Sequence, residues 1–432
     1  MTQPSQSIFA KAGISSAFVI VTTLFLAWGF ITSNNDPLIA ALKASFSLTY
    51  TEALMTQLVF FAAYGFMSFP AAALLERVGS TKAIMIALTV MIAGCLMVQA
   101  VTQYQSFGII LAALFCLGIG ITALQVAANP LAAALGPAET SHFRLTFAQA
   151  FNSLGVVLGS SVGSQIMLRG DVLGSGHGPI TNDADRIVVL NAVSHAFNLI
   201  AVLLFAMVAF IWFSRRAIDR AAAQIETNKE GRFLDALKSR WAIFGSVAIG
   251  LYVGAEVSIG SIMINFLNQK DVLDVPLATA GQYLSYGYWG GALAGRFLGS
   301  YLLTRFPATR LLAFAAVVAS ALCLVVALTS GQVAGHAALA VGLFNSIMFP
   351  TIFTITLERS GASQSSTSGL LCVAIVGGAV IPYVFGKLAD QSSLSIAFIL
   401  PMLAYGIIGL FALLATRAKV HARPEAAAAP AH

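Results

Sequence analysis

Stretches of about twenty apolar residues follow one another along nearly the whole chain, and this recurrence limits what the chain can fold into. A helix of that length crosses a hydrocarbon layer of about 30 Å, where a backbone has to satisfy its own polar groups. The composition agrees. Apolar residues make up 58% of the chain and charged residues 9%, with a mean hydropathy of +0.86, whereas a soluble domain carries about 25% charged residues. The reading is an all-α membrane protein with spans at 17–42, 54–75, 82–102, 107–133, 146–168, 188–213, 241–267, 280–304, 310–330, 335–358, 366–388 and 395–416. Glycines and prolines interrupt these runs, which membrane helices tolerate because neighbours satisfy the freed groups. The leader Met1 to Ser15 is polar, and the first apolar run lacks a small-residue cleavage site, so no removable signal is expected.

Basic residues orient the spans. With both termini inside, 17 of the 23 Lys and Arg fall on the cytoplasmic side; Lys43, Arg169, Arg186, Lys270 and Lys387 fall outside. Arg296 lies within the eighth span. The net charge of +6 therefore reports topology rather than a nucleic-acid surface. The domain reading is a six-helix bundle over 1–213, a cytoplasmic linker over 214–240, a second six-helix bundle over 241–418 and a disordered cytoplasmic tail over 419–432. The segment from Gly170 to Arg186 reads as a turn on the outer side. The four cysteines fall in apolar runs with no metal spacing, and G-x-x-x-x-G-K-[ST] does not occur, so no metal, no cofactor and no enzymatic activity are expected.

Two acids sit deep in apolar runs. Asp36 is in the first span and Glu256 in the seventh, 220 positions apart. Pro130 and Pro350 repeat that spacing in the fourth and tenth spans, which points to a duplicated chain. A charge in hydrocarbon is costly, so an acid kept there is a functional candidate. Asp36 stands in Ser33-Asn34-Asn35-Asp36-Pro37, where proline removes a backbone donor, and so has a partner, a water-lined cavity or a proton. Glu256 falls near the middle of its span, where a carboxyl can exchange a proton. Both are candidate cation-coupling groups.

Neutral polar and aromatic groups accompany them. Gln125 and Asn129 share a helix face, as do Gln149 and Asn152. Trp28, Asn35, Asn265, Tyr286, Trp289 and Asn345 complete the candidate substrate-binding set. Each amide alone reads more readily as helix–helix glue than as a ligand contact. Together, amides that bond hydroxyls and rings that stack on an apolar sugar face suit a neutral polar solute.

Short basic loops follow the second span (Glu76 to Lys82) and the eighth (Arg305 to Arg310). With twelve spans, a central basic linker and the repeat, they resemble the major facilitator superfamily. Trp28-Gly29, Asn35-Asp36, Ala123 to Pro130, Leu135-Gly136-Pro137, Arg144 to Gly155, Tyr252 to Glu256 and Phe349 to Phe353 resemble the fucose/galactose/glucose–cation symporter family within it. The resemblance implies that Asp36 gates transport or handles a proton, that Gln149 and Asn152 contact sugar, and that Trp28 lines the cavity. The fucose branch has Glu where this chain has Gln125, and Gln where it has Glu256. That exchange favours the glucose, galactose or N-acetylglucosamine branch and shifts the expected coupling residue to Glu256.

The expected function is uptake of a hexose or amino-hexose across a bacterial inner membrane by alternating access, coupled to H+ ahead of Na+. A Na+ ion would sit at Asp36 or Glu256. A small-molecule exporter is the lesser alternative. The expected partners are the sugar, the cation and membrane lipid, with no nucleic acid, and the expected state is a monomer.

Overall fold

The computed structural model describes residues 16–135, 141–168, 173, 180, 182–222, 233–303, 305–362 and 364–420. The leader, most of the turn after the fifth span, part of the linker and nearly all of the tail therefore lie outside the described residues. Among the described residues the chain is helical, with no strand.

The first span is α1 (Ser16–Thr32) and α2 (Asn35–Phe46). The second is α3 (Tyr50–Val78), and the third is α4 (Ser80–Met97) with α5 (Gln99–Tyr104). The fourth, fifth and sixth are α6 (Phe107–Ala134), α7 (Ser141–Met167) and α8 (Asp183–Ala222). The seventh is α9 (Arg240–Asn268). The eighth is α10 (Leu277–Tyr283), a π turn (Leu284–Trp289) and α11 (Gly290–Leu303). The ninth is α12 (Ala308–Leu328), and the tenth is α13 (Gly331–Asn345) with α14 (Met348–Arg359). The eleventh is α15 (Gln364–Val373), a 3₁₀ turn (Ala374–Val376) and α16 (Gly377–Gln391). The twelfth is α17 (Leu394–Ala397) with α18 (Ile399–Arg417).

Among the described residues, nine of these stretches are long and apolar enough to cross a membrane. The second, fifth and eighth spans carry side chains that bond across the seam between the two sets of six: Gln57, Ser160, Ser161, Gln282 and Ser285.

Local chemistry explains where helices start and stop. Thr49 and Glu52 form a reciprocal capping box at the start of α3. Ser239 accepts from the Ala242 N–H at the start of α9. Pro37 and Pro350 are each the third residue of a half-helix, α2 and α14. A proline in the first turn forfeits no bond, because those N–H groups have no intrahelical partner. The first and tenth spans therefore break just before their prolines, at Ser33-Asn34 and Ser346-Ile347. The sixth span is longer than expected. It continues to Ala222, and Asp219 on this extension accepts from the Thr81 hydroxyl at 2.6 Å. The start of the expected linker is thus helix pinned to the third span. Its other end, a 3₁₀ turn (Phe233–Lys238), packs on α15 through Ala236 N–H to Ser366 Oγ at 2.9 Å.

Glycines bring the first and fifth spans into backbone contact. Gly155, Gly159 and Gly163 form a ridge on α7, where a Cβ would overlap the Leu26 carbonyl, the Phe30 carbonyl and the Asn34 side chain in turn. Small residues at four-residue spacing are how membrane helices approach closely. This ridge supports the segment that carries Asp36.

Candidate functional site

Asp36 is in the first turn of α2 and is buried. A helix start presents unpaired N–H groups and a partial positive charge, a favourable place for a carboxylate. From the opposite half, the Trp289 indole donates to Asp36 Oδ2 at 3.0 Å. The Ser261 hydroxyl of α9 reaches the same carboxyl. Gln57 of α3 in turn donates to Ser261 at 2.8 Å. Four spans, two from each half, meet around one acid.

The π turn explains how Trp289 gets there. An extra residue per turn changes the rotation of the helix, and such turns recur at functional sites. Here it aims Tyr286 at Ser161 of α7 (2.9 Å), Tyr288 at the Glu256 carbonyl (3.3 Å) and Trp289 at Asp36. Gly260 makes room, since a Cβ there would press on the Trp289 ring.

Glu256 is set differently. It lies within unbroken α9, where Tyr252 one turn earlier donates to its Oε1 at 2.7 Å. The Arg296 guanidinium of α11 is near enough for its charge to act on Glu256, and the Glu256 charge acts on Asp36. Arg296 also donates to the Gln149 carbonyl at 3.3 Å and to the Ser153 hydroxyl on α7.

The expected amides fall into distinct settings. Gln125 donates to Tyr64 Oη at 2.5 Å. Asn129, one turn on, has a buried side-chain oxygen with no protein partner. Asn152 donates to the Phe25 carbonyl at 3.2 Å, beside Trp28, which packs on the Phe25 ring at 5.4 Å. Trp28, Gln125, Gln149, Asn152, Glu256 and Arg296 are only half-buried although they lie within the spans, as cavity-lining groups are. Asn35 is buried next to Asp36. Asn265, one turn after Ser261, has a buried oxygen without a protein partner. Asn345 belongs elsewhere. It is fully buried and its nitrogen donates to Tyr288 at 2.9 Å and Tyr405 at 3.4 Å, inside the second set of six, while its oxygen has no protein partner. Tyr286 is exposed and lies on the seam, where it lines a cavity of about 440 Å³ between the eighth and tenth spans with Gln282 and His336. That cavity contains no carboxylate.

Sequence reasoning did not single out Gln57, Tyr64, Ser261 or Tyr252. An amide in an apolar run was a readable signal for Gln57. The others become visible only through their partners.

Among the described residues, the hydrogen bonds that join the halves run from one end of the molecule to the level of Arg296. At that end Asp390 of α16 accepts from the Tyr50 N–H (2.7 Å), the Thr51 N–H (2.8 Å) and the Thr51 hydroxyl (2.5 Å), capping α3 from the other half. Ser161 and Gln282 exchange two bonds, and Ser285 donates to Ser160 at 2.9 Å.

Residues 17–372 match the family model described as Major Facilitator Superfamily. The chain belongs to the major facilitator superfamily. Within it, the chain is 38% identical to a glucose/galactose transporter of Brucella abortus over 403 residues, 93% of this chain and 94% of that one. It is 27% identical to the L-fucose-proton symporter of Escherichia coli K12 over 95% of this chain and 96% of that one. The fold is similar to the crystal structure of the superfamily transporter FucP in the outward conformation, with a TM-score of 0.69 and 24% identity over 94% of this chain and 99% of that chain. Twelve helices in two six-helix bundles, as expected from the sequence, are the architecture of the superfamily.

Proposed function

We propose that this chain imports a hexose, glucose or galactose first, by proton-coupled symport across a bacterial inner membrane. The observation that carries the reading is the Trp289–Asp36 bond. It places a carboxyl of one bundle under the grip of the other, so loading that carboxyl and moving the bundles are one event. The groups against Asp36 are two neutral donors, Trp289 and Ser261, and a second acid, Glu256. A proton on Asp36 removes an uncompensated charge from the membrane interior, which favours reorientation of the carrier. Similarity to a glucose/galactose transporter and to a fucose-proton symporter supports both substrate class and ion.

In this reading the sugar lies between the bundles near Trp28, Gln125, Asn129, Gln149 and Asn152. The half-buried Trp28 ring offers an apolar face, and the amides offer donors and acceptors to hydroxyls. The bundles are 1–213 and 241–418, joined by the linker 214–240. With both termini in the cytoplasm, the end sealed by Asp390 faces outward, and the molecule is a carrier closed to the outside. One chain holds both halves of the site, so the functional unit is a monomer.

Uptake into proteoliposomes tests the reading. Labelled glucose, galactose, N-acetylglucosamine and fucose are compared under an inward proton gradient, an inward Na+ gradient and counterflow. Accumulation of glucose or galactose under the proton gradient is expected. Accumulation under the Na+ gradient alone would replace the proton by Na+, and absence of counterflow for every sugar would overturn the reading.

A further inference from the structure

Asn345 is the last residue of α13, where the tenth span breaks, and it is fully buried. Its nitrogen donates to the Tyr288 hydroxyl at 2.9 Å and to the Tyr405 hydroxyl at 3.4 Å, while its oxygen is buried with no protein partner. A buried acceptor without a donor costs free energy that an apolar side chain of the same size would not incur. Packing alone therefore does not account for the amide, and its nitrogen leads to the site. Tyr288, also fully buried, stands in the π turn directly before Trp289. Its hydroxyl donates onward to the Glu256 carbonyl of α9 at 3.3 Å, and its ring meets the Trp289 ring edge-on, with 4.8 Å between centroids. Trp289 then donates to Asp36 at 3.0 Å. The tenth span backs the turn as well. A Cβ at Gly342 would overlap the Tyr288 carbonyl, and Gly287, Gly291 and Gly295 of the eighth span lie against Leu339, Leu343 and Ser346. A π turn departs from the α ladder, so the heading of its side chains depends on what they touch.

We infer that Asn345 is a positioning residue for the coupling site: through Tyr288 it fixes the heading of Trp289, and so joins the broken tenth span to Asp36. This inference deepens the proton–sugar reading and rests on it. The Tyr288 hydroxyl accepts from the amide on one side and donates to α9 on the other, so its ring is held from both. Replacing Asn345 with leucine removes the donor and the unpaired oxygen together. The fold then loses little, because no buried acceptor is left stranded. Tyr288, however, keeps one anchor in place of two, and the Trp289 ring beside it is aimed less firmly at Asp36.

The test labels the four tryptophans of the full-length protein as fluorotryptophan and reads fluorine NMR in detergent, with Trp289→Phe identifying the Trp289 resonance. Asn345→Leu is expected to move that resonance and no other, and to melt within about 2 °C of wild type. Tyr288→Phe cuts the same link from its other end and should move the same resonance. Tyr405→Phe removes only the longer bond and should leave it in place. A Trp289 resonance unmoved by Asn345→Leu and Tyr288→Phe would overturn the inference. So would movement of all four resonances, or an equal shift in Tyr405→Phe, since either marks a general loosening of the core. In proteoliposomes, Asn345→Leu is expected to lower counterflow turnover about fivefold with the sugar KM unchanged, because the amides proposed to hold sugar belong to the first bundle. Added to Trp289→Phe, it should cost less than about twofold more. A further fivefold loss in that double variant would show that Asn345 acts by another route and overturn the inference. If the wild type transports no sugar, the proton–sugar reading fails, while the spectra still decide whether Asn345 aims Trp289.

Discussion

The first and seventh spans occupy corresponding places in the two bundles, yet they hold their acids by different means. Asp36 opens a helix that restarts after Ser33 and Asn34, whereas Glu256 sits in the body of a helix that runs unbroken from Arg240 to Asn268. At a helix start the backbone N–H groups are unspent and their dipole favours an anion. In a helix body every N–H is already bonded to the preceding turn. Among the described residues, Glu256 consequently takes its hydrogen bond from a side chain, Tyr252, whereas Asp36 faces the neutral donors Trp289 and Ser261 from the other half. A duplicated position need not keep a duplicated task. A carboxyl at a broken helix has unspent N–H groups beside it, whereas one in an unbroken helix has side chains alone to turn to.

The supports behind the two acids should separate them most. A Cβ at Gly159 would overlap the Phe30 carbonyl, which has nowhere to move, whereas one at Gly250 of the seventh span would have the Ala374 carbonyl, at 3.2 Å, as its nearest neighbour. Gly159→Ala is expected to cost about 3 kcal/mol in thermal stability and Gly250→Ala about 1. Equal losses on a fluorescence-detected melt would mean that the backbone contact is not what holds the broken helix. Next, Asp36→Asn should retain counterflow but lose gradient-driven accumulation. At 100 mV that is about 2.3 kcal/mol, or roughly fiftyfold, read as the ratio of sugar inside to outside. Full accumulation by Asp36→Asn would erase the contrast between the two acids. Third, Trp289→Phe removes a bond to a carboxylate worth about 1.5 kcal/mol, so turnover in counterflow should fall about tenfold. Tyr252→Phe, which removes a bond within one helix rather than one between the two halves, should fall less. The reverse order would say that the seventh span carries the coupling. The smallest effect belongs to the outer end, far from both acids. Asp390→Asn keeps an acceptor but loses the charge at the start of α3, about 0.5 kcal/mol. A cysteine placed by Leu54→Cys should then react about twice as fast with a soluble maleimide, and an unchanged rate would show that the cap does not hold this end shut.

Much of this was legible in the chain. Apolar runs locate the spans because length and hydropathy are what a bilayer selects, and two acids in such runs stand out by composition alone. Even the break in the first span could be read from Asn and Pro. The pairing of Asp36 with Trp289 could not, because 253 residues separate them and nothing local encodes the contact. Asn345 shows another contact that nothing local encodes. Two tyrosines from the eighth and twelfth spans hold its amide nitrogen, while its oxygen is buried without a protein partner. The helical extension to Ala222 was missed because its polar residues read as a solvated linker, while Thr81 and Asp219 hold it as helix.

The π turn at Leu284–Trp289 places one surplus residue inside a span. Each residue rotates a helix by about 100°, and the wide turn takes up that rotation, so the rod beyond it keeps its heading. Deleting one residue there would close the turn to α geometry and re-aim the side chains within it, Trp289 at its end included, while Arg296 beyond it stayed against Gln149. A deletion in α11 has no such turn to absorb it and would swing the rest of the span. The eighth span can therefore lose a letter in one place at the cost of its grip on Asp36, and elsewhere only at the cost of its packing.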